Sequence, residues 1–348
     1  MQEQKTINYL LNQNLSELSL FINNICNLRC KHCYVGTKNE ESDLSLDNWK
    51  SIINEAVSLG INIFGIVGKE PLLTPDKTFD LIDYIKQNYP KTIVGFVTNG
   101  TLLDKHIKTI IKANLDYIDI SIDGTEEGHD YIRGEGSFQR TLSGIRELIK
   151  VGFPKEKLFL SITTTNKTNL IEIIKFFDKE GILNFVISPY LLFSHNASDL
   201  VSNHQEYFKK FFQEVKNLKT KNKISLIVKT DYNELELIKF FIDNKYIDLE
   251  NLQEDKERKI IFTEHNINNL SIYFNFLPFN TELVREIRIT SDGYVLSCID
   301  QGHEDYKKRS IGNVKENNLK SILNNKKSRE IIKEKLEKNI EGIKRVFS

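Results

Sequence analysis

The chain has 348 residues, 40% hydrophobic and 28% charged, which is enough to bury a large core without disulfides, either as one big domain or as a domain with a smaller companion. Lys+Arg and Asp+Glu balance at 48 each, and a formal net charge of zero argues against a broad electrostatic binder of nucleic acid. No apolar run reaches about 18 residues, which excludes a membrane-spanning helix, and the first 21 residues lack the charged-then-apolar pattern of a secretion signal; a reducing cytoplasmic compartment is the default expectation.

In chain order, short apolar runs at Leu18–Ile22, Ile61–Val67, Thr92–Thr98, Tyr117–Ile122, Leu158–Thr163 and Asn184–Ser188 read as strands, several of them β-branched as buried parallel strands tend to be. Between them, Leu46–Leu59, Pro75–Asn88, Lys105–Ala113, Phe138–Val151 and Leu170–Glu180 show helical spacing, the first ending at Gly60. Strict alternation of this kind predicts a parallel sheet with right-handed crossovers. After Pro189 the pattern changes: Asp199–Leu218 and Glu234–Phe241 read as helices and Ile224–Lys229 as a strand. Thr281–Thr290 and Tyr294–Cys298 read as a hairpin about Asp292-Gly293, and the charged last 30 residues read as helix. A boundary is expected between 195 and 225.

The strongest signal is chemical. Cys26, Cys30 and Cys33, three of the four cysteines, fall within eight residues, with Tyr34 next. Thiolates so spaced converge from one loop on a metal centre. A structural zinc site takes four protein ligands, whereas a [4Fe–4S] cluster held by three thiolates leaves one iron open to another molecule. A zinc knuckle is the alternative on spacing alone.

Further motifs follow at strand ends: Gly68-Lys69-Glu70-Pro71, Thr98-Asn99-Gly100, and Ser121-Ile122-Asp123-Gly124 with His129, Asp130, Arg133 and Gly134 behind it. Parallel β/α folds build their sites at this edge of the sheet. The set, in this order, resembles the radical S-adenosylmethionine (SAM) superfamily, which implies an α/β fold, a partial (β/α)6 parallel barrel, with a smaller α+β C-terminal extension. The resemblance implies that Cys26, Cys30 and Cys33 hold a [4Fe–4S] cluster whose open iron binds SAM, and that reductive cleavage of SAM gives a 5′-deoxyadenosyl radical that abstracts hydrogen from a substrate. It implies SAM contacts for Tyr34 (adenine), Gly68 and Glu70 (the amino group), Ser121 (ribose), Asp123, Arg133 (a carboxylate, or structure) and Asn166 (ribose), with Leu191 or Leu192 against the adenine. Lys69 stands where the family usually has Gly. His32, inside the cysteine loop, and His303 with Glu304 read as packing or solvated residues.

The segment Glu286–Cys298 followed by Ile311-Gly312-Asn313-Val314 resembles the SPASM/twitch extension, which usually carries several cysteines for auxiliary clusters; here only Cys298 matches. One thiol cannot hold an all-cysteine cluster, so the reading is an N-terminal segment 1–15, a radical SAM core 16–200, and an extension 201–348 without an auxiliary cluster. Lacking that electron acceptor, the expected reaction is redox-neutral, such as epimerisation or rearrangement, and Cys298 reads as a buried relic, a hydrogen-atom donor or a cluster ligand. About 15 residues precede the first strand, so no leader-binding domain is expected ahead of the core, and the substrate is read as a small molecule or short peptide. The resemblance also implies a flavodoxin or ferredoxin as electron donor, with Arg29 and Lys31 as candidate contacts, and neither nucleic acid nor membrane as partner. The competing readings are a non-catalytic Fe–S or zinc protein or electron carrier, and an idle SAM-binding paralogue.

Overall fold

The computed structural model describes residues 2–11, 15–36, 44–229, 235–255, 260–275, 283 and 285–348. Helix α1 (Gln2–Leu11) precedes strand β1 (Glu17–Phe21). Then come α2 (Leu46–Ser58), β2 (Ile63–Val67), α3 (Pro75–Asn88), β3 (Ile93–Thr98), α4 (Leu103–Lys112), β4 (Tyr117–Ser121), α5 (Glu126–Arg133), α6 (Ser137–Lys150), β5 (Leu158–Thr164), α7 (Leu170–Glu180) and β6 (Asn184–Pro189). The chain continues through α8 (His204–Val215), β7 (Ile224–Lys229), α9 (Leu235–Asp243), β8 (Gln253–Asp255), β9 (Ile260–Ile267), β10 (Leu270–Asn275), β11 (Glu286–Ile289) and β12 (Tyr294–Leu296). It ends with α10 (Cys298–Gln301), α11 (Tyr306–Arg309), β13 (Gly312–Asn313), α12 (Leu319–Asn324) and α13 (Lys326–Phe347).

All the described strands join one curled sheet in the order β13-β12-β11-β1-β2-β3-β4-β5-β6-β7-β10-β9-β8. From β11 through β10 every neighbouring pair is parallel, and the two flanks are antiparallel. The β/α alternation therefore builds the partial parallel barrel, and the C-terminal third of the chain extends it at both edges.

Period-2 patterning sets which face is dry. Ile118, Ile120, Leu158, Leu160 and Ile187 point outward beneath the helices and are fully buried. Ser121, Ser161 and Ser188 point to the concave side and stay partly accessible. Local chemistry places the helices: Ser45 and Asn48 form a capping box at α2, Asn169 caps α7, and Gly181 ends α7 in a left-handed conformation.

Several elements differ from expectation. The helix read over Asp199–Leu218 begins only at His204, because Leu200 is drawn into a small apolar cluster with Ile132 and Tyr190. The hairpin β9/β10 was not anticipated; it turns on Asn268, which holds the left-handed φ of 53° that Asn tolerates. The strand read from Thr281 starts at Glu286, and 281, 282 and 284 lie outside the described residues. Helix α1 was also unanticipated; Ile7 and Leu10 pack with Ile343 of α13. Among the described residues, no helix is long and apolar enough to cross a membrane.

Gly95 shows how tightly β3 and β4 meet. A Cβ there would lie 2.4 Å from the Tyr117 carbonyl oxygen and 2.6 Å from its ring. Gly95→Ala is expected to destabilise the chain by about 1–3 kcal/mol through overpacking; the shift in denaturant midpoint at constant slope measures it.

Candidate functional site

The three thiols are set by the loop that leaves β1 across the C-terminal ends of the parallel strands. Its backbone is pinned from three directions: Lys31 N–H donates to the Ile132 carbonyl (2.9 Å), Ala197 N–H to the Lys31 carbonyl (3.0 Å), and Glu70 N–H to the Ile25 carbonyl (3.0 Å). The Lys31 ammonium also sits 3.3 Å from the centre of the Tyr131 ring.

Cys26, Cys30 and Cys33 open into one cavity of about 290 Å³, whose other walls include Gly68, Lys69, Asn99, Ser121, Arg133 and Thr163. None of the three is in a disulfide. Nitrogen donors are aimed at Cys26 Sγ: the Leu28 N–H at 3.3 Å and Asn99 Nδ2 at 3.7 Å. Burial pushes the Cys30 thiol up to about 12 against the opposing charge of Arg133. Burial also raises Cys26, opposed by the Leu28 N–H bond. N–H donors at sulfur suit a metal-bound thiolate, which must be deprotonated. Among the described residues, no group of three or more His, Cys, Asp or Glu is arranged to hold a single ion. Three thiols on one wall of a cavity that is open opposite them fit a polynuclear cluster.

Two buried carboxylates hold the walls. Glu70 accepts from Leu72 N–H (3.0 Å), Thr98 Oγ1–H (2.7 Å) and Asn99 N–H (2.8 Å). Burial pushes its carboxyl up and these three donors oppose the shift. Its oxygens thus tie the Gly68–Pro71 turn to the Thr98–Gly100 turn, and it lies behind the cavity wall. Gly68 is needed at this junction, since a Cβ there would meet Asn23 Oδ1 at 2.9 Å.

Asp123, fully buried, accepts from Arg133 Nε–H, from His32 Nε2–H (2.7 Å) and, at its other oxygen, from Thr163 N–H (3.0 Å). Burial alone would push this carboxyl up, but the Arg133 guanidinium and His32 hold it well below the usual carboxylate range. His129 accepts the Asp123 N–H at Nδ1 (3.3 Å), and burial together with the Arg133 charge pushes it down to about 3, so it stays a neutral acceptor.

Tyr34 forms part of the cavity wall, and its hydroxyl accepts from Arg288 of β11. Arg288 also donates to Gln301 Oε1 (2.8 Å) and packs between the Phe21 and Tyr34 rings. The C-terminal extension therefore reaches the cysteine loop through one buried guanidinium. Leu191 lines the cavity, whereas Leu192 is 55% exposed and lines a neighbouring groove. Asn166 is exposed and donates to the Asp199 carbonyl (2.5 Å), away from the cavity-lining residues. Cys298 begins α10; its side chain lies outside what the structure describes. His303 stacks edge-on against Phe193, and Glu304 accepts from Ser194 (3.4 Å).

Sequence reasoning missed His32, Asn99 and Arg288. His32 has a side chain only 8% exposed and lines the cavity. Asn99 carried a signal, lying inside the Thr98–Gly100 motif. Arg288 carried a weaker one, a charge inside an apolar strand that has to be partnered.

The comparisons agree with this geometry. The model of the radical SAM superfamily matches residues 20–185, and that of the SPASM iron–sulfur cluster-binding domain matches 282–342. Residues 20–185 are thus similar to a radical SAM domain, and residues 282–342 to a SPASM-type extension. It is 38% identical over 158 residues to an AdoMet-dependent heme synthase of Methanosarcina barkeri, covering 44% of this chain and 43% of that one. It is 36% identical over 151 residues to the mycofactocin maturase MftC of Mycobacterium tuberculosis, covering 42% and 38%. The chain thus spans less than half of these relatives' length. In fold it is similar to SuiB of Streptococcus suis, with a TM-score of 0.66 at 13% identity, covering 94% of this chain and 71% of that one.

Asp123→Asn should lower stability by about 3–5 kcal/mol, because it leaves Arg133 buried without its counter-charge; chemical denaturation reads this directly. Tyr34→Phe and Arg288→Lys should be strongly non-additive in stability, with a coupling of about 0.5–3 kcal/mol in a double-mutant cycle.

Proposed function

We propose that the chain is a radical SAM enzyme in which Cys26, Cys30 and Cys33 hold a [4Fe–4S] cluster, SAM shares their cavity, and the substrate is a small molecule or a short peptide. The observation that carries this reading is that three thiols open into one cavity walled by the strand-end motifs. Bound there, cluster and SAM supply a 5′-deoxyadenosyl radical that takes a hydrogen atom from the substrate.

The chain's own residues bind and orient. Tyr34, Gly68, Ser121 and Arg133 line the cavity and are assigned to SAM. Glu70 and Asp123 act from behind, fixing the turns and the guanidinium that face it. Asn166, exposed and turned to Asp199, is not assigned to SAM. Arg29 and Lys31 are exposed beside the thiols and suit an acidic electron donor such as a flavodoxin or ferredoxin.

The net reaction is assigned as redox-neutral, an epimerisation or a rearrangement. Within 282–342, the span matched by a cluster-binding model, Cys298 is the sole cysteine. A lone thiol suits hydrogen-atom return to the substrate, after which its sulfur regains an electron from the reductant and a proton from solvent.

Reduced anaerobically with SAM, the reconstituted chain should release 5′-deoxyadenosine and methionine; a loaded cluster that releases neither would leave an electron carrier. Cys298→Ala should keep that release but abolish solvent-deuterium incorporation into the product; unchanged incorporation removes the donor role.

A further inference from the structure

Beneath the thiol-lined cavity the concave face of the sheet continues downward. Along β4 the inward positions are Tyr117, Asp119 and Ser121, and residues two apart on a strand are separated by about 7 Å. Ser121 faces the cavity, so Asp119 lies one layer deeper. Tyr117 closes the layer below it. Its ring lies over Gly95 and its hydroxyl reaches Gly65, where a Cβ would stand 3.3 Å away. The inward positions of β4, β5 and β7 are all partly accessible, while their outward neighbours are dry.

Asp119 is the anomaly of this face. Its Oδ2 accepts from the Ser161 hydroxyl on the next strand at 2.8 Å. Its Oδ1 has no hydrogen-bond partner among the described residues, although the residue itself is partly accessible on the concave face. Such an oxygen is costly in a folded chain unless something fills it. Burial pushes the carboxyl up, although the Ser161 bond and the charges of Lys229 and Arg133 oppose the shift. Arg133 is committed to Asp123. Neither the thiols nor the residues assigned to SAM use this oxygen.

We propose that Asp119, oriented by Ser161, anchors the substrate by accepting from an N–H-bearing cation, an ammonium or guanidinium group, on a molecule that enters past the thiol-lined cavity. A charge-assisted bond from such a group satisfies Oδ1 in one contact. The inference rests on the radical SAM reading for what lies above the subsite, and it adds the class of group that the substrate presents.

The test is binding of small probes to the reconstituted chain with SAM present, followed by saturation-transfer NMR on the probe. Methylguanidinium and methylammonium should bind, and tetramethylammonium, a cation without N–H, should not. Asp119→Asn should weaken the two binders at least tenfold while leaving iron content, sulfide content and SAM affinity unchanged. Ser161→Ala, which keeps the carboxylate, should stay within about fivefold of the parent chain. Equal binding of the probes to the parent chain and Asp119→Asn would overturn the proposal, as would tetramethylammonium binding equally well, or Ser161→Ala losing as much as Asp119→Asn. Failure of the parent chain to take up iron or SAM would instead overturn the reading above it, and probe binding measured without the cluster still decides the role of Asp119.

Discussion

The buried carboxylate of Asp123 joins four parts of the chain at one point. Through Arg133 it fixes the end of α5, through His32 the cysteine loop, through Thr163 N–H the end of β5, and by its own position the end of β4. Removing the Asp123 and Arg133 charges from water is expensive, and their mutual bonding here is what offsets that cost. The loop that carries the thiols has no regular structure of its own, so its shape depends on such external ties. Glu70 repeats the device on the other wall, where one carboxylate takes three donors from two turns. The cavity is thereby pre-shaped by groups that do not themselves face it.

The extension acts on the same loop from the opposite side. Parallel pairing of β11 with β1 brings Arg288 level with Ser19, and from there its guanidinium reaches Tyr34. This explains how a C-terminal segment with a single cysteine still bears on the site: it buttresses the wall next to Cys33. The same sheet register layers the concave face, with hydroxyls at the mouth, Asp119 in the middle and Tyr117 at the bottom.

Much of this was legible in the sequence, because β/α periodicity and three closely spaced thiols are local signals. The six core strands lie within a residue or two of their expected limits, and the Cys, Gly-Lys-Glu-Pro, Thr-Asn-Gly and Ser-Ile-Asp-Gly segments all meet at one edge. What the sequence could not show is long-range: which oxygen of Glu70 or Asp123 was already taken, that Asn166 turns outward to Asp199, and that Arg288 reaches a residue 254 positions away. Single polar residues read from a motif are assigned to the ligand by default. Whether they touch it or brace what touches it is decided by partners that spacing does not encode. His32 was set aside for that reason, since its partner Asp123 lies 91 residues on.

The central claim is that Cys26, Cys30 and Cys33 hold one open cluster. Iron and acid-labile sulfide, counted per chain after anaerobic reconstitution, test it most directly. The account predicts about four of each, lost when any one of the three cysteines is replaced and kept in Cys298→Ala. A count near eight, or stably bound zinc without sulfide, would contradict it.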